Sequence, residues 1–296
     1  MSDLLVKALA YNDEIRIYAI DARDMVEEAR KTHDSWSSAT AALGRTIIAS
    51  TLLGATLKNK QDKLTVRVQG DGPVGAIVVD ANMFGKNKAY IQNPHVSLDL
   101  NAAGKIDVAG AVGTEGFLTI TKDQGLKTPF VGQVPLVSGE LGEDFTYYMA
   151  VSEQTPSSFA LSVLINPDES VEVAGGFMIQ VLPGASEETI DKLENSLKEI
   201  KAVSTILDES NDLNYLLKEV LGADNYRIIE EMPVSFECDC SKERFANAIT
   251  SLGKKEIQAM IDEDQGAEAE CHFCRKKYNY SIDELEKLKV QAEEVN

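Results

Sequence analysis

Cys238-Asp239-Cys240, thirty intervening residues, then Cys271-His272-Phe273-Cys274: this stretch holds all four cysteines of the chain, and their spacing decides what its last fifth can fold into. A tetrahedral zinc ion takes four soft ligands with sulfur at about 2.3 Å, and two short cysteine pairs brought together by an intervening hairpin or helix supply them. The second pair has the two-residue spacing of a zinc knuckle. The first, with one residue between its cysteines, is tighter than ordinary fingers. His272 is an alternative to one thiolate, although an exposed filler between two cysteines is the simpler role. Arg275, Lys276 and Lys277 follow directly and can offset the charge of a centre with four thiolates. A tail of about 60 residues is too small to rely on an apolar core alone, so the plainest role for such a site is structural. A second role is chemical. Zinc-bound thiolates remain nucleophilic toward peroxide or hypochlorite, and disulfide formation consumes the ligand electrons, so metal and fold are lost together.

Working outward toward the N-terminus, Pro233 marks a boundary, and a helical piece from Asn214 to Leu221 ends at Gly222. Before it, Ile190, Leu193, Leu197, Ile200, Val203 and Leu207 recur at steps of three or four along one helical face, which starts at Ser186-Glu187-Glu188. The opposite face is acidic and lysine-rich. So narrow a stripe needs a surface to dock on, and an acidic segment tends to disorder once undocked. Residues 63 to 180 read as strands and turns: Leu64–Gln69, the turn Gly70-Asp71-Gly72-Pro73, Gly75–Asp80, Gly116–Thr121 and Ser170–Gly176. Gly70-Asp71-Gly72 leads into a strand rather than a helix, which favours a hairpin over a phosphate loop. Ser37 to Lys58, dense in Ala, Thr, Leu and Ile with Gly44 and Gly54, reads as a buried helix. Asp21 to Lys31 reads as helix and Ile15–Ile20 as strand. His33 and His95 have no visible partner and are taken as ordinary surface or strand residues.

Composition narrows the function. With 48 acidic against 29 basic residues the formal charge is −19, which repels nucleic acid and anionic lipid. Asp262, Glu263, Asp264, Glu268 and Glu270 lead into the second cysteine pair, against a nucleic-acid-binding zinc ribbon. The N-terminus lacks a signal-peptide pattern, and no apolar run is long enough to span a bilayer. The expectation is therefore a cytoplasmic protein without membrane partners, in a compartment where thiols stay reduced and disulfide scaffolds are rare. A hydrolase or thiol oxidoreductase would need a catalytic constellation in the first part of the chain. There is no Walker loop, nucleophile elbow or HExxH helix, so no enzyme activity is expected.

The chain resembles the bacterial 33-kDa redox-regulated heat-shock chaperone family along nearly its whole length. The resemblance rests on the two cysteine motifs, on Tyr90-Ile91-Gln92-Asn93-Pro94, and on Val134-Pro135-Leu136-Val137-Ser138-Gly139-Glu140. It extends through Glu143-Asp144-Phe145-Thr146-Tyr147-Tyr148 and Ser152-Glu153-Gln154-Thr155-Pro156-Ser157-Ser158. It implies an α+β fold: an N-terminal domain of sheets packed with helices at 1–183, a charged helical linker at 184–232, and a small zinc-binding redox-switch domain at 233–296. It further implies an ATP-independent holdase, inactive when reduced with one Zn2+ on Cys238, Cys240, Cys271 and Cys274. Oxidation would form the disulfides Cys238–Cys240 and Cys271–Cys274, expel zinc and unfold the linker. The active form, a homodimer in this family, would bind unfolding or oxidatively damaged client proteins.

Overall fold

Mostly apolar runs pair as the first hairpin, β1 (Leu4–Ala10) and β2 (Ile15–Asp21), in a computed structural model that describes residues 3–210, 212–223 and 225–292. The chain ends expected to belong to the first and last domains, residues 1–2 and 293–296, lie outside the described residues. Two helices follow, α1 (Arg23–His33) and α2 (Ser37–Gly54). Next come β3 (Lys63–Gln69), β4 (Ala76–Ala81), β5 (Lys86–Ile91), the short α3 (Val108–Val112), β6 (Phe117–Asp123) and β7 (Phe130–Pro135). Then α4 (Gly142–Val151) precedes β8 (Ser157–Ile165) and β9 (Val171–Val181). Three helices, α5 (Glu187–Glu199), α6 (Val203–Glu209) and α7 (Leu213–Leu221), lead to β10 (Tyr226–Pro233) and β11 (Ser235–Phe236).

These strands form two sheets, ordered β10-β1-β2-β9-β8 and β11-β5-β4-β3-β6-β7, antiparallel except where β11 runs parallel to β5. The turn Gly70–Pro73 joins β3 to β4 as the expected hairpin. Helix α2 packs against strands of both sheets and is buried on nearly every side, which its composition permits. Its hydroxyls are satisfied internally: Thr46, Ser50 and Thr51 each donate to the carbonyl four residues back, at 2.7–2.8 Å. At Gly44 any Cβ would lie 2.7 Å from a Val26 methyl and 2.9 Å from one of Val163, so only glycine lets the layers close.

The strand-like reading of 63–180 misses α4, whose Phe, Tyr, Thr and Val content favours strands. Tertiary context overrides that preference. Asp144, fully buried, accepts hydrogen bonds from the backbone N–H groups of Val137 (2.7 Å), Ser138 (3.1 Å) and Leu141 (2.8 Å). One carboxylate thus wraps the preceding loop around the helix start and holds Leu141 at φ 72°, a region few non-glycine residues enter. His33 is buried, with Nε2 2.8 Å from the Ala89 carbonyl, rather than lying at the surface. His95 sits on the surface against Trp36, 3.2 Å from an Asp34 carboxylate oxygen.

The five-stranded sheet is apolar on both faces. One face joins α1, α2 and the second sheet in the main core. The other carries Val6, Ala8, Ala10, Ile15, Ile17, Ala19, Val173, Phe177 and Ile179, covered by Leu193, Val203, Ile206, Leu207, Leu213, Leu216, Leu217, Val220 and Leu221. Strand β9, buried on both sides, is consequently almost continuously apolar. The helical stripe from Ile190 to Leu207 is broken at Ile200-Lys201-Ala202. The break has a packing reason: α5 lies against α7 whereas α6 packs onto β8 and β9, and one straight helix cannot serve both. Beyond Gly222 the chain returns to extended form, β10 pairing with β1 and β11 with β5, so these residues stitch the two sheets together.

The chain divides into two compact units, Met1–Glu237 and Cys238–Asn296, and residues 184–232 fall inside the first. The second unit contains α8 (Lys242–Ser251), α9 (Lys254–Asp262), the hairpin β12 (Ala267–Glu270) and β13 (Lys277–Tyr280), and α10 (Ile282–Ala292). No described helix is long and apolar enough to cross a membrane.

Candidate metal and redox centre

Local sequence places each sulfur of the second unit. Ser241 caps α8, its hydroxyl accepting from the Arg244 N–H at 3.2 Å, so Cys238-Asp239-Cys240 is the extended entry to that helix. Arg244 reaches back to Asp239, donating to its carboxylate at 2.8 Å and its carbonyl at 3.2 Å. Cys271 and Cys274 occupy the turn of the β12–β13 hairpin. There the Arg275 N–H donates to the Cys271 carbonyl (2.8 Å), the Cys271 N–H to that of Lys276 (3.0 Å), and Arg275 takes φ 58° to close the knuckle. Around this turn the apolar core is small: Ile249, Ile257, Ile261, Tyr278, Tyr280, Leu285 and Ala292. A domain of this size ordinarily needs a staple.

The four Sγ atoms lie within 4.8 Å of one another, and all four side chains are free thiols. Cys238 and Cys271 sulfurs are 3.7 Å apart, those of Cys240 and Cys274 3.3 Å. Sulfurs at 2.3 Å from a tetrahedral ion are about 3.8 Å apart, so the donor set and its spacing fit a metal such as zinc. Both of these contacts run between the two motifs. Among the described residues the converging group consists of cysteines alone, and His272 is not part of it.

The sulfurs are not equivalent. Burial pushes the Cys238 thiol well above its ordinary range, and burial likewise raises Cys274. Burial acts on Cys240 in the same sense, but hydrogen bonds from Tyr278 and the neighbouring thiols outweigh it and bring Cys240 down to about 7. Tyr278, whose hydroxyl lies 3.2 Å from the Cys240 sulfur, is raised by that same bond. The basic run after Cys274 offsets less charge than expected from the sequence. Arg275 is paired with Glu270 at 2.8 Å and Lys277 with Glu268 at 2.8 Å, while the Lys276 ammonium lies over the Tyr278 ring. Tyr278 is the residue sequence reasoning missed; its signal is position, facing inward on the strand that leaves the second cysteine pair.

The remaining blocks of the resemblance do structural work. Gln92 accepts from the Ala76 N–H and Asn93 donates to the Pro73 carbonyl, fixing the turn between β3 and β4. The 134–148 block is the loop gathered by Asp144, and Glu153 receives Lys122 and the Tyr148 hydroxyl.

Comparison with known proteins matches the family model described as Hsp33 protein to residues 3–281. The 33 kDa chaperonin of Enterococcus faecalis is 60% identical over 292 residues, covering 99% of this chain and 98% of that protein. That of Bacillus velezensis is 54% identical over 290 residues, covering 98% and 99%. The crystal structure of the 33 kDa chaperonin (heat shock protein 33 homolog) from Thermotoga maritima superposes with a TM-score of 0.91 at 36% identity, covering 99% of this chain and all of that one.

Proposed function

The chain belongs to the Hsp33 family of 33 kDa chaperonins, and from that premise we propose that it is a redox-switched holdase whose resting state is held by one zinc ion on Cys238, Cys240, Cys271 and Cys274. The observation that carries this is the convergence of all four sulfurs within 4.8 Å in a module with little other core. When bound, the ion ties the entry of α8 to the β12–β13 turn and keeps the thiolates at neutral pH.

The switch is sulfur chemistry. A thiolate attacks one oxygen of peroxide and expels hydroxide, leaving a sulfenic acid. A second thiolate attacks that sulfur, releases another hydroxide and closes a disulfide. Two peroxides thus convert four thiolates into Cys238–Cys240 and Cys271–Cys274, and no sulfur ligand remains. Two resting contacts, Cys238 with Cys271 and Cys240 with Cys274, run across these pairs and are given up as the disulfides close.

Loss of the module frees the chain at Cys238, next to Glu237, whose N–H donates to the Asn87 carbonyl at 2.7 Å. We assign 1–183 as the stable core domain, 184–232 as a linker that undocks, and 233–296 as the switch. Among the described residues the main core takes one side chain from this segment, Met232 at the end of β10, and none from 187–221, so the helical part of the linker can leave while the first domain keeps its interior. What it uncovers is the apolar outer face of the five-stranded sheet, together with the leucines that covered it. Unfolding proteins are the partners such surfaces hold, with a second copy of the chain joining in the active state and the cytoplasm as the compartment. Nothing in this scheme turns over a substrate.

The test treats reduced, zinc-loaded protein with peroxide at mild heat, titrating released zinc while light scattering follows an aggregating client. Zinc release should parallel suppression of scattering. Zinc retained throughout, or released without suppression, would refute the switch.

A further inference from the structure

We propose that Tyr278 is a positioning residue of the sulfur centre: its phenol donates a hydrogen bond to the Cys240 thiolate and makes that sulfur slower to attack peroxide. The inference rests on reading the four cysteines as a metal site.

The Tyr278 hydroxyl lies 3.2 Å from Cys240 Sγ and 3.1 Å from the Cys240 carbonyl oxygen. While Cys240 is a thiol, the phenol proton is satisfied by the carbonyl. A thiolate can only accept, and its charge draws the same proton to sulfur, because hydrogen bonds to ionised acceptors are about twice as strong as neutral ones. The ring has little freedom to swing away. It sits on β13 opposite Ala269, is 8% exposed, and has the Phe245 ring at 5.2 Å and the Lys276 ammonium 5.3 Å from its centroid. A cation over the face draws electron density from the ring and sharpens the hydroxyl as a donor. Outer partners of this kind orient metal ligands, and their removal typically costs 10–100-fold in affinity.

The lone pair that accepts the phenol proton is one that would attack peroxide. Thiolate nucleophilicity falls with basicity along a slope of about 0.4–0.5, so a bond lowering basicity by roughly one pK unit slows attack about threefold. The first motif, Cys238-Asp239-Cys240, is thereby held back relative to Cys271-His272-Phe273-Cys274.

The experiment compares full-length, reduced, zinc-loaded wild type with Tyr278→Phe and Tyr280→Phe. Tyr280 lies two residues along the same strand, and its hydroxyl donates to the Lys242 carbonyl at 2.6 Å rather than to sulfur. After timed peroxide pulses, alkylation and peptide mass spectrometry give the thiol-loss rate of each motif, and chelator competition gives zinc affinity. In Tyr278→Phe the first motif should react about threefold faster with the second unchanged, and zinc should bind about tenfold more weakly or worse. Tyr280→Phe should keep the wild-type ratio of rates. Equal acceleration of both motifs would mean only a looser module and would overturn the proposal, as would an unchanged ratio. Should Tyr278→Phe fail to fold by circular dichroism, fluorotyrosine incorporation replaces it: a more acidic phenol must slow the first motif relative to the second, and an unchanged or reversed ratio sinks the idea. Wild type that binds no metal would defeat the metal-site reading itself, separately from these outcomes.

Discussion

Truncating Leu217 to alanine removes a side chain with no solvent exposure from α7, where it packs against the outer face of the five-stranded sheet. Such a truncation costs about 2–5 kcal/mol, lost transfer energy plus the cavity left behind. Near 3 kcal/mol, at 1.4 kcal/mol per decade, the undocked population rises about 100-fold. Among the described residues the main core holds no side chain from 187–221, so this loss falls on docking rather than on the first domain. The reduced, zinc-loaded variant should therefore show fast amide exchange and protease cleavage confined to 187–221, full zinc content, and measurable holdase activity without oxidant. Leu52→Ala is the matched control: equally buried, but in α2 and in the main core. It should weaken the whole first unit without singling out that segment. If Leu217→Ala instead unfolds the segment and the rest of the first unit in one transition, the linker is not separable and the proposed release mechanism is wrong.

Cys271→Ser removes the one buried cysteine of the centre and should weaken zinc binding by more than the roughly 100-fold that outer partners cost, read by chelator competition, with the second unit melting first in calorimetry. The β1–β2 turn ties both ends of the docked segment. Glu14 accepts from the Ser186 N–H and hydroxyl at 3.1 and 2.9 Å, Tyr11 donates to the Leu221 carbonyl at 2.9 Å, and Asp13 pairs with Arg227. Hydrogen bonds from Thr189 and Ser186 hold the Glu14 carboxyl below its ordinary value of 4.5. Its contribution is thus complete above that value and is lost as pH falls through the lower folded one. Amide exchange in α5 should rise over that acid window in wild type and lose this pH step in Glu14→Gln. Asp144→Asn turns an amide donor toward N–H groups that need an acceptor, so it should cost about 2–4 kcal/mol and lower the thermal midpoint while zinc content stays unchanged.

Much of the architecture was legible in residue patterns because burial and periodicity agree. The β3–β4 hairpin, the small-residue helix and the four converging sulfurs all follow from local sequence. What escaped depends on contacts distant in the chain. Helix α4 carries strand-favouring residues and exists because one carboxylate gathers the loop before it. Strands β10 and β11 read as a boundary around Pro233, since edge strands half-exposed to solvent show weak alternation. Tyr278 gave no signal beyond its place on a strand, because its role depends on a sulfur 38 residues away.

A chaperone that exposes apolar surface on command must avoid aggregating with itself, and the charge distribution meets that need. Residues 187–221 carry nine carboxylates against four lysines, interleaved with the leucines that cover the sheet. Docked, the leucines face inward and the carboxylates face solvent, as their burial shows for Leu213, Leu216 and Leu217 against Lys218 and Glu219. Undocked, net charge opposes collapse of the segment back onto itself or onto a neighbour, and the whole chain's −19 adds the same repulsion between copies. An unfolding client presents apolar chain without that charge, so it can reach the open sheet where copies beyond the active pair are repelled. Raising ionic strength screens this repulsion. Oxidised protein without client should therefore grow no larger than the active pair at low salt and associate further as salt rises, measured by light scattering. Dispersal that is indifferent to salt would show that charge is not what keeps the exposed face free.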